Sequence, residues 1–202
     1  MVTPQRLQRM TQVAQGRQPG VVVLEDVHDP HNAAAVLRSC DAFGIQTVHF
    51  VFVRTKPYNP AKVGKISSSS ANQWLDFVIH HSTADCLEAL RNDGYRSVGT
   101  VLGQRTESLF DADLTGGPWA LWFGNEHRGL SEEAIDGVDR HLSIPMRGMV
   151  ESLNISVTAA IILFEMTRQR LVAGMPSLPA EQIQKLVVSF GALPEELTPP
   201  PG

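Results

Sequence analysis

Short apolar runs rich in β-branched residues recur along the chain at Val21–Leu24, Thr47–Val53, Leu75–Ile79, Ser97–Leu102, Trp119–Phe123 and His141–Ile144. Each is short and reads as a strand. Between most of them lie segments with helical spacing or helix-cap signals. Ala33–Phe43 comes after Asp29-Pro30, with Asn32 as its expected N-cap and Gly44 as its end. Thr83–Asn92 closes at Gly94, and Ser131 opens a third helix with Glu132 and Glu133 where the helix dipole favours acids. The longest helix is expected from about 152 to 171, with an apolar stripe of Leu153, Val157, Ala160, Ile161 and Phe164 and a stop at Gly174 and Pro176. Strands alternating with helices predict an α/β fold, a parallel sheet covered on both faces. Pro4–Gln15 predicts a short basic helix ahead of the first strand, and Ala180–Phe190 a further amphipathic helix. The expected layout is an N-terminal basic helical extension over 1–19, one core domain over 20–172 and a helical tail over 173–202.

Composition narrows the class. With 202 residues, 43% hydrophobic and 19% charged, the chain can bury a core, which excludes intrinsic disorder as its main character. Cys40 and Cys86 form no CxxC pair and no ligand cluster in the sequence, against a zinc ribbon or disulfide scaffold. No apolar run reaches the length of a membrane span, and MVTPQRLQRM lacks the apolar centre of a signal peptide. A cytoplasmic protein is expected. The net charge of -4 argues against a polycation that coats nucleic acid. Local patches differ: Arg6, Arg9 and Arg17 stand in an acid-free stretch, as do Arg54, Lys56, Lys62 and Lys65. Such clusters suit a polyanion, although scattered solvated cations read the same way.

Open parallel sheets bind ligands at the carboxyl ends of their strands. No GxGxxG comes after the first strand and no GxxxxGK[ST] occurs, against a dinucleotide or P-loop site. The first strand leads instead into Asp29-Pro30-His31-Asn32, with Arg38 two turns on. After Trp119–Phe123 come Gly124-Asn125-Glu126-His127-Arg128-Gly129-Leu130, two glycines bracketing polar residues that can expose backbone N–H groups. After the last strand come Ile144-Pro145-Met146 and then Gly148 to Asn154, with Ser152 and Asn154 placed to cap the long helix. His28 and His31 beside Glu126 raise a metal site, but no third ligand has suitable spacing, and none is expected. Ser67–Ser70 next to Lys62 and Lys65 reads as a polar loop. No GxSxG elbow marks a nucleophilic serine.

These three segments, in this order and at these separations, resemble the SpoU/TrmH branch of the SPOUT superfamily, RNA ribose 2′-O-methyltransferases, over residues 17–172. The resemblance implies a parallel-sheet SPOUT fold with a C-terminal trefoil knot, and S-adenosylmethionine bound by Thr100, Gly124, Ile144, Met146 and Leu153. It also implies a catalytic Arg38 surrounded by Asn32, Glu126, Ser152 and Asn154, and a homodimer in which the partner's first segment completes each site. A guanidinium is a poor base, so Arg38 is expected to clamp a phosphate and stabilise a developing alkoxide. Arg17-Gln18-Pro19 and the Gly148 to Asn154 run are most similar to the branch members that methylate guanosine 18 in the tRNA D-loop. The alternatives are a ribosomal RNA ribose methyltransferase and a non-catalytic RNA-binding or assembly protein. Arg6, Arg9, Arg17, Arg54, Lys56, Lys62 and Lys65 are the expected phosphate contacts.

Overall fold

All five residues of β1, Val21–Glu25, are buried, as a strand in the middle of a covered parallel sheet must be. The computed structural model describes residues 2–62, 71–103, 106–174 and 178–193. It divides into two units, Gly20–Met175 and the terminal segments Met1–Pro19 with Pro176–Gly202. In the larger unit β1 is succeeded by β2 (Thr47–Val51), β3 (Asp76–His80), β4 (Arg96–Thr100), β5 (Glu107–Ser108), β6 (Trp119–Phe123) and β7 (Arg140–Ser143). They form one parallel sheet in the order β3-β2-β1-β6-β4-β7-β5. The six strands expected from the apolar runs are present within a residue or two. The two-residue β5 is too short to leave a pattern. The chain builds outward from β1 in one direction through β2 and β3, and β6 begins the other half. That reversal opens a crevice at the carboxyl ends of β1 and β6.

Helix α2 (Pro30–Ala42) begins earlier than expected: Asp29 is its N-cap, accepting from the backbone N–H of His31 at 2.8 Å. Pro30 at the first helical position lacks an N–H that would have gone unsatisfied. Asn32 therefore lies inside the first turn, and its side chain is released from capping. Helices α3 (Thr83–Asn92) and α4 (Glu132–Gly137) start at Ser82 and Ser131, whose hydroxyls accept from the N–H groups of Asp85 and Ala134.

The long helix α5 (Ile155–Ala173) corrects the expected stripe. Its buried apolar residues are Ile155, Ala159, Ile162, Leu163 and Met166, whereas Val157 is 44% and Phe164 55% exposed. Four consecutive apolar residues, Ile161 to Phe164, offer two apolar faces, and the sheet takes the other one. The edge of the Phe164 ring meets Phe43 of α2 at a centroid distance of 6.2 Å. In the terminal unit, α1 (Pro4–Gln15) is capped by Thr3 and α6 (Ala180–Ser189) starts after Pro179. Arg17 is only 1% exposed, with its guanidinium 5.8 Å from the centre of the Phe190 ring. It is packing on an aromatic face and cannot reach phosphates, contrary to expectation. Among the described residues, no helix is long and apolar enough to cross a membrane.

A buried polar group lies under α3. His49 on β2 and His80 on β3 bring their rings together, Nδ1 to Nε2 at 3.0 Å, and the Cys86 thiol lies within 4.8 Å of these nitrogens. Sequence spacing hid this group, whose members sit on three elements. Burial, with His80 beside it, pushes the His49 pKa down to about 4 against a small opposing effect of Asp93, and burial pushes the Cys86 thiol up to about 12. The pair is held neutral, one ring donating to the other. Because the folded His49 pKa is lowered, the unfolded chain binds more protons between about pH 6.5 and 4. The stability His49 contributes is whole above pH 6.5 and lost as the pH falls toward 4, by up to roughly 3 kcal/mol. Urea unfolding at pH 7 and pH 4.5 should show this loss in the wild type and a smaller one in His49→Leu. Equal pH dependence in the two proteins would contradict it.

Candidate active site

The crevice is walled by a loop that doubles back on itself. After β6, Asn125 and Gly129 exchange backbone hydrogen bonds, each 2.9 Å long. Asn125 holds the turn: its Oδ1 accepts the N–H groups of His127 and Arg128, and its Nδ2 donates to the carbonyl of Asp26 at 2.8 Å. Gly129 has φ +68°, a left-handed conformation that glycine adopts without strain. Gly124 is needed for a different reason. A Cβ there would overlap the backbone of Gly129 and Leu130.

Beside this loop lies a cavity of about 370 Å³. All five residues expected to bind the cofactor line it: Thr100, Gly124, Ile144, Met146 and Leu153. Glu126 and Ser152 line it too. The Thr100 hydroxyl donates to the Trp122 carbonyl at 2.9 Å, so its proton serves the sheet. Phe123, Leu130, Leu142 and Ile162, not singled out from the sequence, supply further apolar wall. Strand-end position was the only signal that could have found Phe123 and Leu142.

One hydrogen-bonded chain ties the three sequence segments together. Glu126 accepts from the backbone N–H of His28 at 3.0 Å and of Asp29 at 3.1 Å, and from Asn32 Nδ2 at 3.0 Å. Asn32 Oδ1 in turn accepts from Asn154 Nδ2 at 3.0 Å. Asn154 Oδ1 caps α5, accepting the N–H and hydroxyl of Ser156 at 2.8 and 2.7 Å. Asn154 thus caps and bridges at once. Burial alone would raise the Glu126 pKa, but the Asn32 amide and the backbone N–H groups outweigh it and hold the carboxyl below its usual value. Glu126 is a fixed anion whose oxygens face three N–H donors.

Arg38 stands apart. Six residues beyond Asn32, it lies about 9 Å further along the helix and on another face. It is exposed, its side chain makes no hydrogen bond or ion pair among the described residues, and it does not line the cavity. Arg6, Arg9, Arg54, Lys56 and Lys62 are exposed cations. Lys65 and Ser67–Ser70 lie outside the described residues.

Comparison with known proteins agrees with this geometry. Residues 19–164 match the model of the SpoU rRNA Methylase family. The chain is 38% identical over 192 residues to a Thermus thermophilus tRNA (guanosine(18)-2′-O)-methyltransferase, covering 93% of this chain and 96% of that one. The crystal structure of the A. aeolicus TrmH/SpoU tRNA modifying enzyme superposes with a TM-score of 0.82 at 31% identity, over 96% of this chain and 98% of that one. The SpoU methyltransferase AviRb of Streptomyces viridochromogenes, solved in complex with AdoMet, gives 0.64 at 32% identity over 77% of this chain and 59% of that one. With a matched family model over most of its length, a cavity lined by its second and third segments and a first segment hydrogen-bonded to both, the chain belongs to the SpoU methylase family.

Proposed function

We propose that the protein methylates a ribose 2′-hydroxyl in RNA, using S-adenosylmethionine, and that its substrate is guanosine 18 in the tRNA D-loop. The observation that carries the reading is the convergence of all three segments on one crevice through Glu126, Asn32 and Asn154. The cavity suits the cofactor: an aliphatic wall, backbone groups that can read a base edge, and a glycine that lets the loop backbone of Gly129 and Leu130 pack close beside it. When bound, S-adenosylmethionine supplies the activated methyl group. The rest is alignment, which these residues provide. Ser152, on the cavity wall, offers a polar contact to the ribose, while the Asn32 side chain, bonded to Glu126 and Asn154, ties the first segment to the second and to the start of α5.

Arg38 clamps the phosphate beside the target and stabilises the developing alkoxide. Because it does not line its own cavity, it serves the site of a second copy. The exposed apolar face of α5 suits that homodimer: Val157 and Phe164, continued by Leu171 and Val172 at 77% and 79% exposure. Phe164→Glu should shift the protein to monomer in sedimentation and cost most of the transfer activity. A fully dimeric variant would place the interface elsewhere. The trefoil knot implied by the resemblance belongs to the same reading.

The test of substrate class is methyl transfer by the purified protein to isolated tRNA and ribosomal RNA fractions. Preferential labelling of tRNA is expected. Labelling of ribosomal RNA alone would favour the ribosomal alternative, and cofactor-independent RNA binding without transfer would favour an assembly protein.

A further inference from the structure

The loop over 125–130 has a cavity on each of two sides. The second, of about 520 Å³, shares Asn125, Arg128, Gly129 and Leu130 with the first but is otherwise lined by different residues, among them Glu25, Asp26, Val53 and Arg54. Its floor is a closed structure. Glu25 accepts the hydroxyls of Thr83 and Ser131 at 2.6 and 2.7 Å and the Ser131 N–H at 2.8 Å. Its rim is open. Arg54 and Arg128 are exposed, and their side chains make no hydrogen bond or ion pair among the described residues.

Asp26 sets both rim positions. Its φ of +50° is the one left-handed conformation among the described non-glycine residues. A residue held there implies surroundings that over-determine it. The Asp26 carboxylate accepts the backbone N–H groups of Val53, Arg54 and Thr55 at 2.9 to 3.0 Å, which fixes the turn carrying Arg54. Its carbonyl accepts Asn125 Nδ2, which fixes the loop carrying Arg128. One buried residue thus positions two free guanidinium groups at the mouth of a cavity, with the cofactor cavity behind the shared wall.

We propose that this second cavity is a subsite for the RNA strand next to the target nucleotide, with Arg54 and Arg128 holding its phosphate and Asp26 as their positioning residue. The inference rests on the reading of the protein as an RNA ribose methyltransferase. The volume lies within the range of about 300–1,000 Å³ usual for ligand sites. Glu132 and Glu133 also line the cavity, so it favours a group bearing hydrogen-bond donors over a polyphosphate. A nucleobase edge with amino and imino protons meets that requirement while its phosphate stays with the arginines.

The test is binding of labelled tRNA at three salt concentrations, with cofactor affinity measured alongside. Arg54→Ala with Arg128→Ala should weaken tRNA binding about tenfold or more and reduce the salt slope by about one, the loss of one neutralised phosphate. Val53→Trp, which fills the cavity without removing a cation, should weaken tRNA binding and leave the slope unchanged. Asp26→Ala should reproduce the arginine loss with both arginines present. Asp26→Asn should restore binding, because Asn tolerates the left-handed conformation and keeps the accepting oxygen. Arg54→Ala alone should leave cofactor affinity unchanged. Unaltered tRNA affinity in the double arginine variant or in Val53→Trp would overturn the subsite. A wild type that binds tRNA through these residues but transfers no methyl group would instead overturn the enzymatic reading and leave the subsite standing.

Discussion

Gly124→Val should weaken S-adenosylmethionine binding at least 100-fold, a loss of about 2.7 kcal/mol. The reason is backbone packing. A side chain at Gly124 meets the main chain of Gly129 and Leu130, which no rotamer change can move aside. Relief requires breaking the paired hydrogen bonds between Asn125 and Gly129, and with them the wall of the cavity. Gly129→Ala is the informative companion. No atom lies within 4 Å of a Cβ there, so its cost is only that of a left-handed residue with a side chain, about 1–2 kcal/mol. Calorimetric titration of both variants, with thermal unfolding to confirm the fold, should rank Gly124→Val as the more damaging. Equal cofactor affinity in Gly124→Val and wild type would remove this loop from the cofactor site.

Arg38→Ala should separate binding from chemistry. Cofactor affinity should stay within about twofold, because Arg38 does not line the cavity. Transfer should fall about 100- to 1,000-fold, the effect of removing one group that stabilises developing negative charge. Arg38→Lys should recover little, since an ammonium cannot reproduce the paired donors of a guanidinium on phosphate. Loss of cofactor binding in a folded Arg38→Ala protein would contradict this division of roles.

The strands were legible because parallel strands covered on both faces are continuous apolar runs, and β1 and β6 are buried at every position. Of the five residues lining the cavity as expected, Gly124, Ile144, Met146 and Leu153 lie in the second and third segments and Thr100 ends β4. Other features required the third dimension. Asn32 and Asp29 are both good capping residues three positions apart, and only Pro30 at the first helical position decides between them. The α5 face was ambiguous because Ile161 to Phe164 are all apolar. Of the expected stripe, Val157 and Phe164 are exposed, while Ile161 packs partly buried against the core. Arg17 read as a surface cation, yet its flat guanidinium is buried near Phe190. His49, His80 and Cys86 meet only because β2, β3 and α3 bring distant positions to one layer. The link between Glu126, Asn32 and Asn154 spans 122 residues between its last two members, and no local signal encodes it.

The measurement that tests the central claim most directly is nucleoside mass spectrometry, with fragment mapping, of tRNA and ribosomal RNA from a strain lacking this protein. The expected result is loss of 2′-O-methylguanosine from the tRNA D-loop, its return when the wild-type chain is supplied and its continued absence with Arg38→Ala. A D-loop mark that persists while a ribosomal 2′-O-methyl mark disappears would contradict the account.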